Sequence, residues 1–89
     1  MVRVFVRHPV AEFEVWKQAY DAFDAERQGM GVLDQAAHQA LDNPNEVTIW
    51  HDFASVDAAQ AFLSSDRLAE VMGSAGVAGE PTIWLTTPA

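Results

Sequence analysis

The chain has 89 residues and a formal net charge of −8, from 13 Asp and Glu against 5 Lys and Arg, and it contains no cysteine. That length holds one small domain, residues 1–89, with no room for a second. A hydrophobic content of 49% marks a globular chain. The missing cysteines exclude disulfides, thiolate catalysis, Cys-ligated zinc and iron–sulfur clusters, and the acidity argues against nucleic acid or an anionic membrane as partner. No run approaches the roughly 18 apolar residues of a membrane span. The N-terminus alternates charged and apolar residues, unlike a signal peptide's apolar block, so a cytoplasmic protein is expected.

Residues 2–8 alternate with period two. Val2, Val4, Val6 and His8 point one way and Arg3, Phe5 and Arg7 the other, which predicts a first strand ended by Pro9. Residues 11–28 switch to helical spacing, with Phe13, Trp16, Ala19, Tyr20 and Phe23 as one apolar stripe. Glu12 and Glu14 suit the first turn, Arg27 the last, and Gly29 and Gly31 the stop. Residues 32–41 predict a second strand, weakened by Ala36, Ala37 and Ala40. Asp42-Asn43-Pro44-Asn45 predicts a turn into a third strand at 46–53, so that these two strands form a hairpin. In that strand Val47, Ile49, His51 and Phe53 oppose Thr48, Trp50 and Asp52. Ser55 is a good cap for a helix over 56–64, with Val56, Ala59, Phe62 and Leu63 as its stripe. Ser65 or Asp66 caps a second short piece containing Leu68, Val71 and Met72, which Gly73, Gly76 and Gly79 break. Pro81 opens a last strand at 82–87, with Ile83 and Leu85 alternating against Thr82, Trp84 and Thr86.

The order βαββαβ predicts a ferredoxin-like α+β fold. Its four-stranded antiparallel sheet carries the helices on one face and has strands one and three in the centre. Helices cover only one face of such a sheet. The residues suited to them are Val2, Val4, Val6, Val47, Ile49, Phe53, Ile83 and Leu85. The other face then carries Arg3, Phe5, Arg7, Thr48, Trp50, Asp52, Thr82, Trp84 and Thr86. Aromatic side chains bury roughly 150–250 Å² each, so Phe5, Trp50 and Trp84 together exceed the apolar patch a soluble monomer tolerates. A second copy, sheet facing sheet about a two-fold axis, is the simplest cover, and it would enclose an aromatic-lined cavity.

The run Val6-Arg7-His8-Pro9-Val10 leads into Phe13-Glu14-Val15-Trp16. Asp42-Asn43-Pro44-Asn45-Glu46-Val47, Phe53, Ala61-Phe62 and the Gly73 to Pro81 segment follow. Together these resemble the dimeric α+β barrel superfamily, and within it the small antibiotic-biosynthesis-monooxygenase and polyketide-cyclase-like proteins. The resemblance covers nearly the whole chain. It implies a homodimer through the sheet face. It also implies an enzyme that oxidises or cyclises an aromatic or polyketide-like small molecule with neither metal nor flavin, so that no cofactor is expected. A non-catalytic dimeric carrier of a hydrophobic small molecule is the alternative.

Within that frame, antiparallel pairing of strands one and three sets Arg3 near Asp52 as a structural ion pair. The same pairing leaves Arg7, near Thr48, free to hold an anionic substrate oxygen. His38 faces Trp50 if Leu41 pairs with Val47, and it is then the candidate general base in the cavity. His8 and His51 share parity with the helix-facing residues and read as semi-buried histidines. His8, at a strand end, is the second candidate base. Phe5, Trp50, Trp84, Thr48 and Thr82 are the candidate substrate-binding residues. The three histidines lie 30 and 13 residues apart, so no metal site is expected. The glycines at 73, 76 and 79 follow a helix instead of opening one, which is the wrong order for a phosphate loop.

Overall fold

The computed structural model describes residues 1–89. The alternating segments form one antiparallel sheet of β1 (Val2–Pro9), β2 (Asp34–Ala40), β3 (Asn43–Phe53) and β4 (Thr82–Thr86), in the order β2-β3-β1-β4. The helices α1 (Phe13–Ala22), α2 (Asp24–Gly29), α3 (Val56–Leu63) and α4 (Asp66–Ser74) lie on one side of it. No helix is long and apolar enough to cross a membrane. Strands β1 and β3 pair with Arg3 opposite Asp52 and Arg7 opposite Thr48, as the alternation predicts.

Four local features differ from the sequence reading. The expected helix over 11–28 is two helices. At Phe23 the backbone N–H is shared between the carbonyls of Ala19 at 3.1 Å and Tyr20 at 3.3 Å, and α2 restarts with Arg27 N–H on Phe23 O at 2.9 Å. Glu12 gives α1 no side-chain cap; Asn45 does so from across the fold, its Oδ1 accepting from Phe13 N–H at 3.0 Å. Asn43, Pro44 and Asn45 are therefore strand, and the turn shrinks to Leu41-Asp42. A register shift between Gln39 and Ala40 absorbs the difference. Gly73 stays inside α4, and the chain turns at Gly76 instead, where φ is +82°. From there the backbone is pinned to the end of β1: Ala11 N–H donates to Gly76 O at 2.9 Å and Ala78 N–H to Pro9 O at 3.0 Å.

Two apolar clusters fill the space between helices and sheet. One holds Val2, Val4, Val6, Val32, Phe53, Ala59 and Phe62. The other holds Val10, Trp16, Tyr20, Val47, Ile49 and Ala75. Strand β1 sends alternate side chains into the first, and β3 into both. Strand β4 does not follow. Ile83 and Leu85, expected under the helices, are 41% and 43% exposed, and Trp84 on the opposite face is 42% exposed. The sheet order makes β4 an edge strand, and its apolar side chains stay open on both faces.

Candidate functional site

On the open face nearly every group of chemical interest already has a partner. Arg3 grips buried Asp52 with both arms of its fork, Nε to Oδ1 at 2.7 Å and Nη2 to Oδ2 at 2.9 Å. The Arg3 guanidinium also lies 3.8 Å from the centre of the Trp50 ring. This hydrogen bonding holds the Asp52 carboxyl below the usual carboxylate range. Phe5 stacks on Trp84 with ring centres 5.7 Å apart. Arg7, expected to be free, is paired: its Nε donates to Glu46 Oε1 at 3.1 Å. Thr48 and Thr82 flank Arg7 on the neighbouring strands. His38 stands opposite Thr48 instead of Trp50, exposed on the edge strand β2. The shorter turn displaces it along β3, and the register shift beside Ala40 makes up all but two places of the difference from its expected partner.

The cavity within the chain is on the other side of the sheet. A space of about 190 Å³ lies between the two apolar clusters, floored by Val6, Ile49 and Ile83 and walled by Trp16, Phe62 and Met72. Of the residues singled out from the sequence as catalytic or substrate-binding, His8 alone lines it. His51, Tyr20 and Arg27 join it there.

The sequence accounts for each of these positions. His8 and His51 sit at strand positions whose neighbours two residues away, Val6, Ile49 and Phe53, are core. Trp16, Tyr20, Phe23 and Arg27 recur at spacings of four, three and four, so Arg27 continues the apolar stripe of α1 into α2. Arg27 is a last-turn cation of α2, and this spacing turns it to the core as well. The side chain is 3% exposed.

The polar groups of the cavity differ in how far they are satisfied. The Tyr20 hydroxyl donates to Gln35 Oε1. Burial pushes its pKa up to about 12, so it stays protonated. His8 Nδ1 lies 3.1 Å from the carbonyl of Pro9. A carbonyl only accepts, so Nδ1 carries the proton and the lone pair is on Nε2. Burial lowers the His8 pKa and keeps the ring neutral at neutral pH. His51 has no hydrogen-bond partner for either ring nitrogen, and Arg27 has none for Nε. These three are the only buried side-chain nitrogens or oxygens in the chain left in that state. Burial, and secondarily the charge of Arg27, bring the His51 pKa down to about 4. No group of three or more His, Asp or Glu side chains is placed to hold a metal ion.

No family model and no curated protein matches the chain. Solved structures do. The cofactor-independent oxygenase SnoaB from Streptomyces nogalater superposes with a TM-score of 0.81 at 14% identity, over 99% of this chain and 92% of that one. The ActVA-Orf6 monooxygenase of Streptomyces coelicolor, in complex with nanaomycin D, gives 0.70 at 19% identity, over 99% and 87%. A further antibiotic biosynthesis monooxygenase gives 0.79 at 10% identity, over 100% and 99%. The chain thus shares the fold of these antibiotic biosynthesis monooxygenases, a four-stranded antiparallel sheet with helices on one face.

Proposed function

We propose that the chain is a cofactor-independent oxygenase acting on an aromatic or polyketide-like small molecule held in the cavity between helices and sheet. The observation that carries this reading is His8, a neutral imidazole with its tautomer set by Pro9 and its lone pair on Nε2, in the wall of an aromatic-lined cavity. The fold shared with SnoaB and ActVA-Orf6 supports it.

In this mechanism His8 Nε2 takes the proton of a substrate phenol. The apolar walls exclude water, so the phenolate is a stronger electron donor than in solution. It passes an electron to O₂, and the two radicals combine at the ring carbon para to the oxygen. Loss of water leaves a quinone. In sum, phenol and O₂ give para-quinone and water. The substrate supplies all four electrons, one oxygen atom stays on the ring, and the other leaves with the phenolic and ring hydrogens. No external reductant is needed.

The active form in this proposal is a cytoplasmic homodimer. The partner covers Phe5, Trp50 and Trp84 on the open face and the exposed apolar side chains of β4. Oxygen uptake with a panel of one- to three-ring phenols and hydroquinones tests the activity. His8→Gln should lower turnover by roughly a hundredfold or more, as expected for loss of a general base, while ligand binding persists. Tight binding without oxygen uptake across the panel would favour a carrier instead.

A further inference from the structure

We propose that Arg27 and His51 form a subsite for a single anionic oxygen, and that the ligand is an acidic enol or phenol of one or two fused rings, bound as its anion. This deepens the proposed function and rests on its assignment of the cavity as the binding site.

Arg27 is almost wholly buried, with its guanidinium 3.8 Å from the centre of the Tyr20 ring. Its only ion-pair contact is long. Nη2 is 3.4 Å from Asp24 Oδ1, on a carboxylate whose side chain is 46% exposed. Nε donates to nothing. A buried cation is costly unless it is paired and its donors are met, and this one is incompletely met on both counts. His51, also in the cavity wall, is neutral at neutral pH and so carries one ring N–H, again with no acceptor. The other polar groups of the cavity are committed, the Tyr20 hydroxyl to Gln35 and His8 Nδ1 to Pro9.

Apart from the lone pair on the second ring nitrogen of His51, what is unmet is specific: two N–H donors and one positive charge, in a low-dielectric pocket. An oxyanion answers all three, because it accepts both hydrogen bonds and neutralises the guanidinium. The rest of the cavity sets the body of the ligand. Its walls include Trp16, Phe62, Val6, Ile49 and Leu68, which suit a flat apolar ring system. Its volume of about 190 Å³ is below the roughly 300–1,000 Å³ that hold drug-sized ligands. One or two fused rings match it. Oxygen acids such as phosphate, which need several donors around them, do not.

Calorimetric titration with two probes separates charge from shape. At neutral pH 2-hydroxy-1,4-naphthoquinone is an anion, whereas 2-methoxy-1,4-naphthoquinone has the same skeleton and no acidic proton. The chain has no cysteine to react with either. The hydroxy compound should bind roughly tenfold to a hundredfold more tightly than the methoxy compound. Arg27→Met should abolish that preference and leave the methoxy affinity in place. Arg27→Lys keeps the charge and loses the fork, so the preference should shrink without vanishing. If Arg27→Met does not fold, the wild-type ratio and Arg27→Lys decide. Equal affinities in the wild type, or a preference unchanged in the Arg27 variants, would overturn the subsite. Neither readout involves turnover. Oxygen uptake without the preference sinks the subsite and leaves the oxygenase reading standing, and the preference without oxygen uptake does the reverse.

Discussion

The two faces of the sheet are built from the same four strands, yet they treat polar groups in opposite ways. On the open face Arg3 is forked onto Asp52 and laid on Trp50, and Arg7 is tied to Glu46. On the covered face two nitrogens of His51 and one of Arg27 are buried with nothing to bind. Buried polar groups in native proteins are nearly always hydrogen-bonded, so the exceptions mark where something else is meant to sit. The face that looks richer in chemistry by residue type is the more satisfied of the two. The contrast teaches that a site is recognised by unmet capacity more than by the number of charged or aromatic residues.

The comparison can be broken most severely at the open face, where the account expects packing. Trp50→Glu puts a charge where the partner's sheet should rest. It should dissociate the dimer, with a loss of about 3–5 kcal/mol of the kind that removal of a large core aromatic causes. Sedimentation at micromolar concentration reads this. A wild-type chain that sediments as a monomer would remove the proposed dimer.

Acid should reach the covered face first. His51 is neutral in the folded chain, with a pKa of about 4, against about 6.5 in the unfolded one. Between those values the unfolded state binds more protons, so stability rises with pH across that window and falls as pH drops through it. The full shift corresponds to about 3 kcal/mol. Melting curves across the window should therefore be steeper for the wild type than for His51→Gln. The lowered pKa of Asp52 acts in the same direction, its contribution being lost below the ordinary carboxylate range.

The smallest effects sharpen the contrast between the two arginines of β1. Arg3→Met leaves the Asp52 carboxylate without its fork and should lower the melting temperature while leaving ligand affinity alone. Arg7→Met removes one exposed pair with Glu46 and should change neither measurably. Loss of ligand binding in Arg7→Met would return the anion site to the open face.

Much of this fold was legible because period two is strict. Once Val2, Val4 and Val6 are assigned inward, the strand pairing follows, and the positions of Arg3 against Asp52 and Arg7 against Thr48 with it. The cap at Ser55 was equally plain, since its side chain accepts from Ala58 N–H at 3.2 Å. What could not be read depended on contacts across the fold. Asn45 looks like a turn residue and serves as the cap of α1, and the resulting shorter turn moves His38 along β3. The ion pair of Arg7 with Glu46 joins residues 39 positions apart, with no local signature. Arg27 was legible in principle, as a cation on an apolar stripe. Arginine is so commonly exposed that its burial shows only when Tyr20, Phe23 and the sheet are assembled around it.

The three histidines test the central claim in one spectrum, because two of them line the cavity and the third, His38, is exposed on the sheet edge. Titrating the protein with 2-hydroxy-1,4-naphthoquinone while recording ring nitrogen and carbon resonances by NMR should shift His8 and His51 and leave His38 still. Movement of His38, together with the Trp50 and Trp84 indole signals and without His8 or His51, would place the ligand on the open face and contradict the account.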